Sequence, residues 1–292
     1  MPLLSIPSPS RGDVDVGPLS IHAYGLMLLL AIVAATVLTG IRWNRRGGDW
    51  DLVFQVAVWG VAFGIVGARL YHVVTSWSEV PDEWWGVFAV WKGGLGVWGG
   101  ILFGVLAGAV VVRKAGESVF RFMDAVAPGL LLAQAIGRWG NWFNQELYGE
   151  PTDLPWGLEI DLQHRPEDLT LLQQDTFHPV FLYEFTWNLL GVGVLLLLDR
   201  FFRFRPPALF ALYVAWYTAF RAFEETLRID PSHEYFGFRL NFYVSVVLFA
   251  LSVAFFVWWQ FFHRRGEPSA AARRPAPPAG PRMAVPRGRV RG

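Results

Sequence analysis

The chain has 292 residues, of which 53% are hydrophobic and only 17% charged, with a net charge of +1 and no cysteine. A soluble domain carries nearer a quarter charged residues, and so small a net charge offers no polyanion-binding surface, which sets nucleic acid aside as a partner. The lack of cysteine excludes disulfides, a thiolate nucleophile and cysteine-ligated metal.

The apolar residues come in blocks of about twenty rather than in amphipathic stripes, so the surrounding solvent is lipid. Residues 1–18 are polar and proline-rich and lack the basic stretch of a cleaved signal; they read as a short outer segment before a first helix that stays as an anchor. Spans are then predicted at Leu19–Ile41, Leu52–Thr75, Leu95–Val112, Phe122–Trp139, Val180–Leu198, Ala208–Phe223 and Phe238–Phe262. The fourth is interrupted by Asp124, Pro128, Gln134 and Arg138, which lipid tolerates only where that side faces protein or water.

Basic clusters alternate along this order. Arg42, Arg45 and Arg46 follow the first span, Arg113, Lys114 and Arg121 the third, Arg200, Arg203 and Arg205 the fifth, and His263-Arg264-Arg265 the seventh. The second and fourth loops are instead acidic. The positive-inside rule puts the basic loops in the cytoplasm, which requires seven spans, an outer N-terminus and a cytoplasmic C-terminus. The expected fold is therefore an all-α integral membrane protein of about seven transmembrane helices with a sizeable outer loop between the fourth and fifth. That loop, Glu150–Thr176, is expected to hold strand or amphipathic structure over the site. Residues 19–265 form the membrane domain, and residues 266–292, rich in Pro, Ala and Arg, read as a disordered basic cytoplasmic tail.

In the third span Gly96, Gly100, Gly104 and Gly108 recur at every fourth residue, a spacing that lets another helix backbone approach. The doublets Gly93-Gly94 and Gly99-Gly100 exceed what packing needs and are candidates for backbone access to a ligand.

Charges within hydrocarbon cost about 2.5–3.5 kcal/mol each on insertion scales and each needs a reason. One cluster is Arg138, Asn141 and Asn144, three apart on one helix face, with Glu146 just beyond. A second is Tyr217, Arg221, Glu224, Glu225 and Arg228, in which the four-residue spacing pairs Arg221 with Glu225 and Glu224 with Arg228. Both fall at the outer interface. Two guanidinium forks oriented by carboxylate or amide partners suit a phosphate. Arg228 and Arg239 are read as arginines that snorkel to the interface. A third set, His178-Pro179 to Tyr183-Glu184, opens the fifth span, and Tyr24 stands at the outer end of the first. His22 and His72 are read as incidental.

The run Gly137-Arg138-Trp-Gly-Asn141-Trp-Phe-Asn144-Gln-Glu146-Leu-Tyr148-Gly149 is similar to the Gly-Arg-x-Gly-Asn-Phe-x-Asn-x-Glu signature of prolipoprotein diacylglyceryl transferases. The resemblance extends to Tyr24-Gly25, to the glycine-rich third span, to His-Pro-x-x-Leu-Tyr-Glu (His178 to Glu184) and to Tyr-x-x-x-Arg-x-x-x-Glu (Tyr217, Arg221, Glu225), across residues 20–262. It implies a monomeric inner-membrane enzyme, active at the outer face. Such an enzyme moves the diacylglyceryl group of phosphatidylglycerol onto the lipobox cysteine of a preprolipoprotein and releases glycerol phosphate. It implies Arg138, Arg221, Glu146 and Glu225 as catalytic residues. Arg138, Asn141, Asn144, Tyr24, Tyr217, Gly99, Gly100, His178 and Glu184 would bind phosphatidylglycerol. No cofactor is implied, and no His/Asp/Glu cluster has metal-ligand spacing.

Two positions depart from the family pattern. Trp98 stands where many relatives carry the histidine cast as thiol base, leaving Glu146, Glu225 and His178 as candidates, and Phe181 stands where glutamine is commoner. Two other classes compete with this reading. A CDP-alcohol head-group transferase would need an Asp-rich metal motif. A transporter would need charges near the midplane, whereas these gather at one interface.

Overall fold

In the computed structural model, which describes residues 5–16, 19–230 and 234–263, each apolar block is a helix. The long helices are α1 (Ala23–Arg45), α2 (Trp50–Thr75), α3 (Val97–Lys114), α4 (Val119–Asn144), α6 (Val180–Phe201), α7 (Ala208–Glu224) and α8 (Leu240–Val257), the last running on as a π-turn to Phe262. Six of them, all but α7, are long and apolar enough to cross a membrane. α7 has 17 residues, a length of about 25 Å at 1.5 Å per residue. The chain is thus a multi-pass, mostly helical membrane protein.

The chain-reversal regions at the ends are where sequence periodicity misplaced boundaries. Residues Leu19–His22 were expected to begin the first helix but form strand β2, antiparallel to β1 (Asp13–Val16). At the other end of the chain Phe238–Arg239 is strand β6, paired with β5 (Glu234–Tyr235), so α8 starts at Leu240. The fourth helix runs well past the expected Phe122–Trp139: Ser118 caps its start and it continues to Asn144. The outer loop contains β3 (Leu158–Glu159) paired with β4 (Thr176–Phe177), and a single helical turn, α5 (Leu169–Leu172). The expected basic tail lies outside the described residues.

Neighbouring helices are α2 with α3, α1 with α4, α4 with α6, and α7 with α8. The first pair meets through glycine: a Cβ on Gly99 would lie 2.2 Å from the carbonyl oxygen of Gly67, so neither helix could move in with a side chain there. Around the bundle the apolar side chains point outward; Val74 is 74% and Phe54 64% exposed, as lipid-facing residues are. Three buried clusters lie along the axis. Trp43 with Phe122 marks the end that carries the basic loops, Leu131 with Leu195 and Leu209 the middle, and Tyr148 with Phe177 and Phe181 the opposite end. At that opposite end α4 finishes, α6 begins and α7 finishes, which brings the polar clusters together.

Candidate active site

α4 delivers its signature residues in a helical row and then turns sharply. Gln145 at the helix end has φ 51 and ψ 47, and Leu147 has φ 58. Each left-handed non-glycine residue costs on the order of 1 kcal/mol, so this turn is held by its contacts. It folds Glu146 back: the Glu146 N–H donates to the Asn141 carbonyl at 3.1 Å. The Glu146 carboxylate accepts from Asn141 Nδ2 at 2.9 Å and from Asn144 Nδ2 at 3.4 Å. Asn141 Oδ1 in turn accepts from Arg138 Nη1 at 3.3 Å. The row read from three-residue spacing is formed, and the turn adds Glu146 to it.

On its other side Arg138 Nη2 stands 2.7 Å from Glu184 Oε1, which α6 presents one turn into the helix. α7 supplies Arg221, whose Nη1 lies 2.9 Å from Glu224 Oε1 and whose Nη2 pairs with Glu225. Glu184 and Glu224 have side chains about 1% exposed. Glu224 also lies within electrostatic reach of Arg138, and Glu184 of Arg221, which joins the Arg138 half of the site to the Arg221 half. Tyr217 lies one turn before Arg221, within electrostatic reach of both arginines and both carboxyls.

Arg228 and Arg239 are not interfacial snorkelers. Their side chains are 9% and 7% exposed, and both are held by acids. Arg239 Nη1 lies 3.1 Å from Glu225 Oε2, and Arg228 Nη1 lies 3.6 Å from Glu225 Oε1. Asp230 bridges the two, 2.7 Å from each. Burial alone would raise the Asp230 pKa, but hydrogen bonds from Arg228 and Arg239 outweigh it and hold the carboxyl below the usual range. The pairing of Glu224 with Arg228, expected from spacing, is the loosest here at 4.0 Å, because Glu224 turns to Arg221. Asp230 and the role of Arg239 were not singled out in the sequence, and Glu224 was singled out there only as a partner of Arg228. The short Arg228-Ile-Asp230 run was the available signal.

Tyr24 reaches the site from α1. A Cβ on Gly140 would lie 2.6 Å from Tyr24 Cδ2, so this signature glycine makes room for the ring. The hydroxyl comes within electrostatic reach of Glu146 and Arg138.

His178 is placed at the junction of the outer loop instead. Its carbonyl accepts from the Gly149 N–H at 3.0 Å and its N–H donates to Glu150 at 2.9 Å. Its ring Nδ1 is 3.1 Å from the Tyr183 hydroxyl, which accepts from Trp156 Nε1. The end of the signature is structural too. The Tyr148 hydroxyl donates to the His164 carbonyl, and burial, partly offset by Arg165, pushes its pKa up to about 12.

Gly99 and Gly100 face α2, where an added Cβ would lie 2.2 Å from the Gly67 oxygen or 3.5 Å from the Gly64 oxygen, so close helix packing uses both. Gly93 and Gly94 offer their carbonyls inward, to Arg69 Nη1 at 2.9 and 3.0 Å, and His72 fills the space beside Gly94. Trp98 is about half exposed on α3.

The arrangement is two guanidiniums, each partly open and each backed by a buried carboxyl, with amide and phenol groups beside them. Such a site binds an oxyanion and stabilises negative charge that grows on it. Comparison with known proteins agrees in kind. The family model described as prolipoprotein diacylglyceryl transferase matches residues 13–258. A Frankia alni protein named phosphatidylglycerol–prolipoprotein diacylglyceryl transferase is 49% identical over 255 residues, 85% of this chain and 66% of its own length. Proteins of the same name from Cutibacterium acnes and Bifidobacterium adolescentis are 46% and 42% identical, over 90% and 88% of this chain and 90% and 80% of their own lengths. Nothing in these matches favours a transporter. The chain belongs to the prolipoprotein diacylglyceryl transferase family.

Proposed function

We propose that this protein transfers the diacylglyceryl group of phosphatidylglycerol to the lipobox cysteine thiol of preprolipoproteins, releasing glycerol phosphate. The observation that carries the reading is the pair Arg138 and Arg221, brought from α4 and α7 to one place and each set against a buried glutamate. The names of the relatives supply the substrates.

The reaction replaces a C–O bond of a glyceryl CH2 with a C–S bond. Phosphate is the leaving group, and its charge grows from that of a diester towards that of a monoester. Arg138 and Arg221 clamp the phosphate and take up this charge in a site shielded from water, where removing one such donor typically costs about 10²–10³ in rate. Asn141 and Glu146 hold Arg138 or the glycerol hydroxyls, Glu225 orients Arg221, and Asn144, Tyr24 and Tyr217 line the head-group region. Holding two membrane-bound reactants in line supplies much of the rest. The thiol base is among Glu146, Glu225 and His178. Of these, Glu225 is ringed by Arg221, Arg228 and Arg239, which suits it to orienting Arg221.

The topology that fits is seven spans with α7 as the sixth in order, an outer N-terminus and a cytoplasmic C-terminus in the bacterial inner membrane. It is supported by the basic loops, which share the bundle end opposite the arginine site. Residues 19–265 are then the catalytic domain, 266–292 a cytoplasmic basic tail, and 1–18 an outer segment. A monomer suffices, since one chain supplies both arginines.

The test is mass analysis of a lipobox peptide incubated with the purified protein and phosphatidylglycerol. Thioether-linked lipid from the wild type, reduced at least a hundredfold in Arg138→Ala, is expected. A folded wild type that lipidates no peptide with any lipid donor sinks the reading.

A further inference from the structure

Polar side chains interrupt α4 and α6 beneath the arginine site as well as within it, and the phosphate clamp leaves the deeper ones unused. The two helices run antiparallel. At one level Arg138 Nη2 meets Glu184 Oε1 at 2.7 Å. At a deeper level a Cβ on Gly191 would lie 2.8 Å from Leu131 Cδ1. Between these contacts α4 steps back seven residues while α6 steps forward seven. Gln134 lies four residues before Arg138, and Asn188 four after Glu184, on the faces that the two contacts define. This register sets Gln134 opposite Asn188, one helical turn (about 5.4 Å) nearer the membrane interior than the arginine. α7 closes the layer: Gln134 Nε2 donates to the Tyr213 hydroxyl at 3.2 Å. Tyr213 precedes Tyr217 by one turn, just as Gln134 precedes Arg138. One residue from each of three helices thus underlies Arg138, Glu184 and Tyr217.

This layer costs stability. Asn188 is fully buried, and among the described residues neither its Nδ2 nor its Oδ1 has a hydrogen-bond partner; Gln134 Oε1 has none either. Exchanging such orphaned groups for apolar ones of similar shape is neutral or stabilising. Hydrogen bonds between membrane helices contribute little stability in any case. Polar groups kept inside a membrane at a cost belong to function. These atoms are closed off from solvent, so they act through the layer above them rather than on a substrate.

We propose that Gln134, Asn188 and Tyr213 are positioning residues of the transfer, fixing α4, α6 and α7 against one another so that Arg138 and Tyr217 point at the scissile phosphate ester. This rests on the transferase reading above. The facing amides set the separation of α4 and α6 one turn from the guanidinium–carboxylate contact, and Tyr213 ties α7 to the same level. Altering any of the three turns Arg138 or Tyr217 off the line of C–O cleavage. A displacement of about 1 Å caused by a change remote from the chemistry can cost 10²-fold in rate.

Thermal unfolding and steady-state lipidation of the detergent-solubilised full chain, with a lipobox peptide and phosphatidylglycerol, separate positioning from stability. Asn188→Leu removes two orphaned groups, so it should unfold at the wild-type temperature or above it. Its kcat should nevertheless fall at least tenfold, with lipid KM within about threefold of wild type. Gln134→Leu and Tyr213→Phe should show the same split between kcat and KM, and they carry the test should Asn188→Leu not fold. Because the layer acts as a unit, Asn188→Leu combined with Gln134→Leu should be about as slow as the slower single variant, whereas independent sites multiply their losses. Wild-type kcat in the single variants, multiplied losses in the double one, or a loss of activity that only follows a lowered thermal midpoint overturns the proposal. Each of these leaves the transferase reading standing. Only a folded wild type that forms no thioether removes that reading.

Discussion

Arg239 Nη1 lies 3.1 Å from Glu225 Oε2, so a residue from the strand before α8 fixes the carboxylate that pairs with Arg221. Arg239→Gln removes that charge and leaves Glu225 shared by Arg221 and Arg228 alone. Removing one partner of a buried ion pair costs about 3–5 kcal/mol in general, and Arg228 should absorb part of it here. The expected result is a thermal midpoint several degrees lower and at least a tenfold fall in thioether formation, with lipid KM rising. Wild-type activity in Arg239→Gln would mean that Arg221 is oriented without this clasp.

Gly140 and Tyr24 cannot both carry side chains in their present positions, since a Cβ would stand 2.6 Å from the ring. Gly140→Ala should displace Tyr24 from beside Arg138 and Glu146, lowering activity about tenfold or more. Tyr24→Phe keeps the ring and loses only the hydroxyl, so the fold should be retained and the loss confined to head-group binding, seen as a raised KM. Equal thermal midpoints and equal activity for Gly140→Ala and wild type would show that the ring moves aside freely.

These sites also explain what the sequence made legible. Arg138, Asn141 and Asn144 could be placed together because helical spacing alone aligns them. The link from Arg138 to Glu184 was not read from the sequence, because the two residues lie on different helices and only the packing of α4 against α6 brings them together. Spacing paired Glu224 with Arg228, four residues on, and that pair forms only loosely, because Arg221, three residues before it, is the nearer partner. Arg69 was invisible for a different reason. It donates to the carbonyls of Gly86, Val87, Gly93 and Gly94, and backbone acceptors leave no residue pattern. The hairpin at Leu19–His22 read as helix because apolar composition continues through it, while hydrogen bonds to Asp13–Val16 decided its form.

Asp230 gives the outer clasp a pH signature. Its folded pKa is depressed below the unfolded value of about 3.9 because hydrogen bonds from Arg228 and Arg239 exceed the cost of burial. Such a group contributes stability that is fully present above the unfolded pKa and is lost as pH falls through the folded one. Asp230→Asn should therefore be less stable than wild type by a constant margin from about pH 7 to pH 5, and the margin should shrink below about pH 4. Thermal unfolding in detergent across that range measures it. A margin that persists unchanged to pH 3 would assign the contribution to shape and neutral hydrogen bonding.

The 17-residue α7 decides the membrane topology. If it crosses, the loop before it and the hairpin after it lie on opposite sides, although among the described residues six other helices have the length and hydropathy of an unambiguous span. A short span is tolerable where Arg221, Glu224 and Glu225 already sit at its end, since those groups belong at the head-group level. The chain has no cysteine, so single cysteines can be read without background. Phe202→Cys lies just before α7 and Phe236→Cys just after it, at positions 60% and 99% exposed. In intact spheroplasts an impermeant maleimide should label Phe236→Cys, together with Gln163→Cys in the loop after α4. Phe202→Cys and Ala115→Cys should react only after permeabilisation. Labelling of positions 202 and 236 from the same side would make α7 re-entrant, and the even count of crossings that follows would put both ends of the chain on one side.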